Sequence, residues 1–320
     1  MSNFVMMFFV LFSHLETEAF SPSYAKTPNC AAARKNFMNR FAQLKEKYHD
    51  LSEVDVSEEN SPTWNWGRKK QAVYLLHGFI GTPNEMSALA VKLQDKGFTV
   101  INDLIPGYAA DGFVANQFKP QQWQENTEAN LESIRSCFEK IHLVGFSTGG
   151  LLLHDYVRRH EEDFTARSLI LYSPFYKPHL KFADLLGSAA RLVTPVVLIQ
   201  PLYYLTRFPD IKVAVLKPNN YLQQLPLDGA RFVFSLGKQV HEEIRNLPLG
   251  DDLTATLLFV SDTDRIMDLQ TSVENVTEDF SNVSVVRFSE IDVPHHLMVD
   301  AVSPVAEAVQ DQTVDFILAH

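Results

Sequence analysis

The sequence predicts an α/β fold in which helices cover both faces of a mostly parallel β-sheet. From residue 71 onward, short apolar runs of strand length alternate with stretches of helical length. Continuous apolar runs indicate strands that are buried on both faces, which is typical of parallel sheets. The composition agrees with one large core, because 46% of the 320 residues are hydrophobic and 21% are charged.

The alternation divides residues 71–320 into strands and helices. The strands are expected at residues 72–76, 98–101, 141–144, 168–172, 256–260 and 283–288. The helices are expected at residues 84–96, 123–138, 151–159 and 304–318. Short strands that alternate with helices are the pattern of a parallel sheet with crossover connections.

An insertion interrupts this pattern at about residues 175–251. The stretch is too long for a simple loop, and it contains apolar and aromatic segments. We interpret it as a cap over the carboxyl edge of the sheet, which is where open α/β sheets bind their ligands. The α/β domain with this cap is expected at residues 67–320.

Two segments precede the domain. Residues 26–66 are mostly polar, and apolar residues recur at three- and four-residue spacing from Phe37 to Tyr48, which predicts a helical extension followed by an acidic linker. Residues 1–25 are expected to be a signal peptide or a hydrophobic N-terminal segment. Their apolar run FVMMFFVLF has signal-peptide length and is too short to span a bilayer, which needs about 20 residues. The pattern slightly favours export, to the periplasm or out of the cell, over a cytoplasmic location.

The charge distribution argues against a nucleic-acid partner. The chain has 28 basic and 39 acidic residues, and its net charge is -11. Phosphate binding needs concentrated positive charge, and the longest basic run is the triplet at residues 68–70.

The two cysteines, Cys30 and Cys137, lack the spacing of metal ligands. They predict either a disulfide in an oxidising compartment or two free thiols. The sequence indicates no metal site.

A glycine-flanked serine is the centre of the predicted chemistry. Residues 145–150 read GFSTGG, between a predicted strand and a predicted helix. This G-x-S-x-G pattern lets a serine occupy a tight turn at the sheet edge, because glycines allow strand and helix to approach closely. Ser147 is therefore the candidate nucleophile.

A serine nucleophile needs a base, and the base needs an acid that orients it. Asp264 follows the predicted strand at 256–260, and His295 follows the strand at 283–288, in the chain order serine, acid, histidine. We favour Asp264 over Asp262 because apolar residues follow it as an anchor. We favour His295 over its neighbour His296, and both alternatives stay open.

Two backbone amides are candidates for binding the negative oxygen of a tetrahedral intermediate. One is the amide of Thr148, directly after the nucleophile. The other is the amide of Phe79, in the segment HGFIGT that ends the first predicted strand. We expect His77 in this segment to hold the loop by hydrogen bonds.

Four segments together resemble the α/β-hydrolase family, and within it the carboxylesterases and monoacylglycerol-lipase-like enzymes. They are HGFIGT at residues 77–82, GFSTGG at 145–150, SDTDRIMD at 261–268 and VPHHLMVD at 293–300. The resemblance covers about residues 70–320. It implies a mostly parallel sheet of about eight strands, a serine nucleophile and no cofactor.

The residues and the resemblance predict a serine hydrolase that cleaves a small-molecule carboxylic ester, with a short or medium acyl chain or of the monoacylglycerol type. The same residues also serve thioesterases, amidases and carbon–carbon bond hydrolases. A binding protein that kept the fold without catalysis is the alternative outside enzymes. The apolar cap further suggests a weak contact with lipid surfaces, and the sequence does not specify an oligomeric state.

Overall fold

The fold is seen in a computed structural model that describes residues 21–189, 194–207, 209–251, 253–289 and 292–320. The prediction for residues 1–25 falls largely outside these residues. Of the helices that are described, none combines the length and the apolar character that a membrane-spanning segment needs.

A central sheet of seven strands and a second sheet of two strands lie within the described residues. In chain order the strands are β1 (Thr63–Asn65), β2 (Gln71–Leu76), β3 (Thr99–Asp103), β4 (Lys140–Phe146), β5 (Ser168–Tyr172), β6 (Val196–Leu198), β7 (Gln224–Pro226), β8 (Ala255–Ser261) and β9 (Val283–Phe288). The central order is β1-β3-β2-β4-β5-β8-β9, and only the β1–β3 pair is antiparallel. Strands β6 and β7 form the small sheet.

Helices lie around this sheet and in the segment between β5 and β8. They are α1 (Pro28–Ser52), α2 (Ser87–Asp95), α3 (Gly112–Ala115), α4 (Pro120–Arg135), α5 (Thr148–Arg159), α6 (Leu180–Ala189), α7 (Ile199–Thr206), α8 (Lys212–Leu216), α9 (Leu227–Asn246), α10 (Leu269–Asp279) and α11 (Ala306–Ala319). Every residue of β3, β5 and β8 is buried, as expected for strands with helices on both faces.

The α/β fold predicted from the sequence is confirmed. Each of the six predicted strands is present, with ends that differ by two residues or fewer. The sheet has seven strands where the resemblance implied about eight. Its seventh strand, β1, lies in the stretch that we expected to be a linker. Three residues are too few to show an alternating pattern, and Trp64 holds β1 in place by packing against Trp66 and Phe37.

The described residues between β5 and β8 lie outside the central sheet, and residues 173–254 are called the inserted segment below. Phe234, in its helix α9, stacks on Phe175, which lies three residues after the end of β5, with ring centroids 5.4 Å apart. Its backbone at Leu222 donates a hydrogen bond of 2.9 Å to the carbonyl of Ile80, in the loop after β2. The inserted segment therefore contacts the carboxyl edge of the central sheet.

The parallel arrangement also brings four loops to that edge. Strands β2, β4, β8 and β9 all run in the same direction. The loops that follow them hold the four segments singled out in the sequence, because the carboxyl ends of parallel strands meet at one edge.

A disulfide joins Cys30 in α1 to Cys137, which lies just after α4. Of the two predictions for the cysteines, the structure therefore has the disulfide, which links α1 covalently to the end of α4. The pair is separated by 107 residues. A covalent link across so long a loop removes much conformational freedom from the unfolded chain.

We expect reduction of this disulfide to destabilise the protein. The Cys30→Ser/Cys137→Ser double variant should lose about 2–4 kcal/mol of unfolding free energy, because its unfolded state regains the entropy of the open loop. Urea unfolding with and without dithiothreitol measures the effect. The double variant is the control, since the reductant should not change its unfolding. A wild-type protein equally stable in both buffers would contradict the expectation.

Candidate active site

Ser147 lies in a tight turn between the end of β4 and the start of α5. Its backbone has φ 51° and ψ -112°, in the left-handed region that residues other than glycine rarely adopt. A conformation of this kind costs about 1–3 kcal/mol and persists only where its surroundings enforce it. Here the Ser147 amide donates to the Tyr172 carbonyl at 2.8 Å, and the Ser147 carbonyl accepts from the Leu151 amide at 3.0 Å.

The glycines of the G-x-S-x-G pattern allow α5 to lie close to the strands on either side of the turn. A Cβ atom on Gly149 would lie 2.2 Å from the carbonyl oxygen of Leu76 on the neighbouring strand. One on Gly145 would lie 2.6 Å from the backbone of Gly150. Any side chain at either position would push the strand and helix apart and move Ser147.

The three residues predicted to act together are joined by hydrogen bonds. His295 Nε2 lies 2.9 Å from Ser147 Oγ, and His295 Nδ1 lies 2.6 Å from Asp264 Oδ2. Because a carboxylate only accepts, Nδ1 carries the proton in this arrangement and Nε2 accepts from the serine hydroxyl. All three residues are buried.

Asp264 is held in the loop after β8 by the residues that follow it. Its Oδ1 accepts hydrogen bonds from the amides of Ile266 and Met267, at 2.8 and 3.2 Å. Its Oδ2 is then left to face His295. The apolar pair after the aspartate is therefore buried and also orients the carboxylate through its backbone.

The alternative acid and the alternative histidine have other partners. The Oδ1 atom of Asp262 accepts from Arg287 Nε at 2.5 Å, at the surface. His296 Nε2 lies 3.9 Å from Glu85 Oε1. Burial lowers the pKa of His296 well below its ordinary value, so this imidazole is neutral.

The charges around His295 favour its protonated form. Burial alone would lower the pKa of His295, but the negative charges of Asp264, Asp210 and Glu85 outweigh burial and raise it. A raised pKa means that an imidazolium formed at this position is stabilised.

Both candidate amides belong to segments that pass close to Ser147. Thr148 is the first residue of α5, where the amide has no partner within the helix. The loop that carries Phe79 passes so close that a Cβ atom on Gly78 would lie 3.3 Å from Ser147 Cβ. Within the described residues, neither the Phe79 nor the Thr148 amide donates a hydrogen bond.

His77 holds this loop, as the sequence suggested. Its Nε2 accepts from the Ile105 amide at 3.1 Å, so its Nδ1 donates to the Gly78 carbonyl at 2.8 Å. Burial lowers the pKa of His77 to about 4, and the ring therefore stays neutral near pH 7.

An apolar cavity opens above Ser147, between the sheet edge and the inserted segment. Its free volume is about 40 Å³, and both Ser147 and His295 line it. Phenylalanines form much of its wall: Phe79, Phe146, Phe175, Phe182 and Phe234.

Two buried carboxylates near the site had not been predicted. Asp210, in the inserted segment, accepts from the His295 amide at 2.9 Å through Oδ1. Its Oδ2 has no hydrogen-bond partner among the described residues, and burial raises its pKa to about 6. Glu85 accepts from the Gly78 amide and from the Tyr221 hydroxyl, at 2.9 and 2.7 Å.

The sequence carries little signal for either carboxylate. Asp210 stands in no motif and reaches the site only through the fold of the inserted segment. An acid shortly after the HGFIGT segment is the single hint of Glu85.

Comparison with solved structures gives the same architecture. A structure reported for the metagenome-derived lipolytic enzymes LipS and LipT has a TM-score of 0.62 and 14% identity, covering 83% of this chain and 100% of that one. The monoacylglycerol lipase of Paleococcus ferrophilus has a TM-score of 0.61 and 19% identity, covering 81% and 98%. A soluble variant of the monoglyceride lipase of Saccharomyces cerevisiae has a TM-score of 0.57 and 13% identity, covering 81% and 90%.

Comparison of the sequence identifies the family. No curated protein matches the chain. The model of one α/β-hydrolase family, Hydrolase_4, matches residues 67–290, which is more than half of the chain. The fold, the serine turn and this match agree, and the chain belongs to the Hydrolase_4 family, described as serine aminopeptidase, S33.

Proposed function

We propose that this protein is a serine hydrolase that cleaves carboxylic esters through an acyl-enzyme. Ser147 is the nucleophile, His295 the general base and Asp264 the acid that orients it. The observation that carries the proposal is the hydrogen-bonded chain from Ser147 Oγ to His295 Nε2 at 2.9 Å and from His295 Nδ1 to Asp264 at 2.6 Å. These distances are those that proton transfer requires.

The first half of the reaction transfers the acyl group to the enzyme. Ser147 Oγ attacks the ester carbonyl carbon while His295 Nε2 takes the hydroxyl proton, and the carbonyl oxygen becomes negative. The Phe79 and Thr148 amides donate to that oxygen. When the intermediate collapses, the carbon–oxygen bond to the alcohol breaks, and the alcohol leaves with the proton from His295.

The second half of the reaction releases the carboxylic acid product. His295 takes a proton from water as the water oxygen attacks the acyl carbon, and the negative oxygen forms again at the same amides. The bond to Ser147 Oγ then breaks, and the serine regains its proton from His295. Every proton in this cycle is carried by His295, so the proposal requires no cofactor.

The cavity supports an acyl group of short to medium length. Its walls are largely apolar, with five phenylalanines, and its free volume of about 40 Å³ is small. A longer chain would have to displace closely packed side chains, which is unfavourable. The similar structures named for lipolytic and monoacylglycerol lipase enzymes agree with ester substrates.

An amidase acting on substrates with a free amino group is the second candidate. The buried Oδ2 of Asp210 has no partner among the described residues, and Asp210 borders the cavity. A carboxylate there could accept hydrogen bonds from a substrate ammonium. The family description names an aminopeptidase, which agrees with this reading.

A weak contact with lipid surfaces is part of the proposal. The inserted segment exposes large apolar side chains, among them Leu205 at 84% and Leu180 at 78%. Such side chains can insert between lipid headgroups. The net charge of -11 favours zwitterionic over anionic lipids.

Ser147→Ala is expected to abolish hydrolysis of p-nitrophenyl acetate and labelling by a fluorophosphonate. Loss of the nucleophile should lower kcat about 10⁴–10⁶-fold, because no acyl-enzyme can form. Gel fluorescence and steady-state kinetics measure both effects. Ser87→Ala, an exposed serine in α2, is the control that should keep both properties. Equal labelling of wild type and Ser147→Ala would refute the assignment, and no labelling of either would favour a binding protein.

The pH profile of kcat/KM is expected to report His295. Only the neutral imidazole can accept the serine proton, so activity rises as pH rises through the pKa of His295. That pKa is raised above 6.5, and the midpoint of the acid limb should therefore lie above pH 6.5. Asp264→Asn removes the largest opposing charge, so the midpoint should move to lower pH while kcat falls about 10³–10⁴-fold.

Asp262→Asn is the matched control for this profile. Asp262 pairs with Arg287 at the surface, so its loss should leave kcat and the midpoint unchanged within about twofold. If Asp262→Asn lost activity and Asp264→Asn kept it, the acid would have been misassigned.

A substrate panel separates the candidate reactions. We expect kcat/KM for p-nitrophenyl esters to peak at short to medium acyl chains, because the cavity is small and apolar. As an ester hydrolase the protein should turn over these esters faster than thioesters and aminoacyl p-nitroanilides. A preference for aminoacyl p-nitroanilides would favour the amidase instead. Measuring the esters below and above their micelle concentration tests the lipid contact, which predicts a higher rate on micelles.

A further inference from the structure

The loop that carries the Phe79 amide has an unusual backbone. Residues 77–82, called the oxyanion loop below, turn sharply after β2, and the Gly81 amide donates to the Gly78 carbonyl at 3.1 Å. Ile80 has φ 58°, a left-handed conformation that is unfavourable for a β-branched residue. A loop in this state needs partners that hold it in place.

Glu85 fills the inside of this loop. Its Oε2 accepts from the Gly78 amide at 2.9 Å, and a Cβ atom on Gly81 would lie only 2.6 Å from the same oxygen. The carboxylate therefore touches both glycines of the turn. The Gly78 carbonyl, which shares a peptide group with the Phe79 amide, accepts from the Gly81 amide and from His77 Nδ1. By holding both glycines, Glu85 supports the turn that fixes this peptide group.

The inserted segment holds both Glu85 and the oxyanion loop. Tyr221 donates its hydroxyl to Glu85 Oε1 at 2.7 Å. The next residue, Leu222, donates its amide to the Ile80 carbonyl at 2.9 Å. The preceding residue, Asn220, accepts at its carbonyl from the Thr82 hydroxyl at 3.0 Å. Three consecutive residues of the inserted segment thus bind the loop or the carboxylate inside it.

We propose that Glu85, held by Tyr221, is a positioning residue that fixes the Phe79 amide in the direction of the oxyanion. The proposal rests on the function proposed above, in which that amide stabilises the tetrahedral intermediate. An amide of this kind lowers the barrier only if it is oriented before the charge develops. Glu85 supplies the orientation from inside the turn without contacting the substrate.

The hydrogen bonds of Glu85 do not depend on its charge. An amide side chain can accept from the Gly78 amide through its oxygen and donate to the Tyr221 oxygen through its nitrogen. Burial raises the pKa of Glu85 to about 7, and His295, His296 and Tyr221 are the titratable groups that face it. Positioning should therefore survive in Glu85→Gln and fail in Glu85→Ala.

The test compares Glu85→Ala, Glu85→Gln and Tyr221→Phe with wild type. For each we would measure kcat and KM on p-nitrophenyl acetate and the inhibition constant of a methyl trifluoromethyl ketone, whose serine adduct carries the oxyanion. Glu85→Ala should lower kcat about 10–100-fold and raise the inhibition constant of the ketone by a similar factor. KM should stay within about threefold of the wild-type value. Glu85→Gln should stay within about threefold of wild type in all three quantities.

Asp155→Ala is the matched control for loss of a buried carboxylate. Asp155 lies in α5, away from the cavity, and accepts from Gln124 and Arg159 at 2.9 and 3.0 Å. This variant should lose thermal stability and keep wild-type kcat. Wild-type kcat and ketone affinity in Glu85→Ala would overturn the proposal, as would a kcat loss without loss of ketone affinity.

If Glu85→Ala does not fold, Tyr221→Phe tests whether the Glu85–Tyr221 pair positions the Phe79 amide. It keeps the ring and removes only the hydrogen bond to Glu85, and it should lower kcat and ketone affinity together by about 3–10-fold. Unchanged values would refute the role of the pair. Fluorophosphonate labelling separates the two proposals, because an unlabelled, inactive wild type refutes the hydrolase itself, whereas a labelled wild type with unaffected variants refutes only the role of Glu85.

Discussion

The left-handed turn at Ser147 is the constraint on which the rest of the site depends. The turn exists because Gly145 and Gly149 let α5 lie directly against two strands, closer than any side chain would permit. Its strain is offset by backbone hydrogen bonds to Tyr172 and Leu151, both in regular elements. The serine hydroxyl and the Thr148 amide are consequently fixed by buried regular elements, β4 and α5. Their geometry does not depend on a flexible loop.

The surroundings of His295 show how burial and charge oppose each other. Burial normally lowers the pKa of an imidazole, because it disfavours the charged form. Here the negative charges of three nearby carboxylates raise the pKa of His295 instead. Asp264 bonds to the ring and Asp210 to the backbone amide, so one fixes the rotation of the imidazole and the other its position. A base that must become a cation during the proposed reaction is thus both held and stabilised.

The sequence predicted the parts of the site that depend on local rules. Ser147 follows from a pattern whose glycines have a steric reason, and Asp264 and His295 follow from their places after two strands of a parallel sheet. The geometry brings these three together, while Asp262 and His296 lie against other partners. Asp210 and Glu85 could not be predicted, because their contacts depend on how the inserted segment folds back. Strand β1 was too short to recognise, and no spacing rule could decide whether Cys30 and Cys137 form a disulfide or stay free thiols.

The inserted segment is tied to the site at several points, and this bears on how such proteins can change. A cap that merely covered a cavity could be exchanged for another, giving a new specificity on an old core. In this protein, replacing the inserted segment would remove Asp210 from His295 and Tyr221 from Glu85. The core that remained would keep its serine turn, but His295 and the loop after β2 would each lose a supporting hydrogen bond. Grafting this segment onto another core would therefore require that core to offer a carboxylate at the position of Glu85, so the inserted segment and part of the core have to change together.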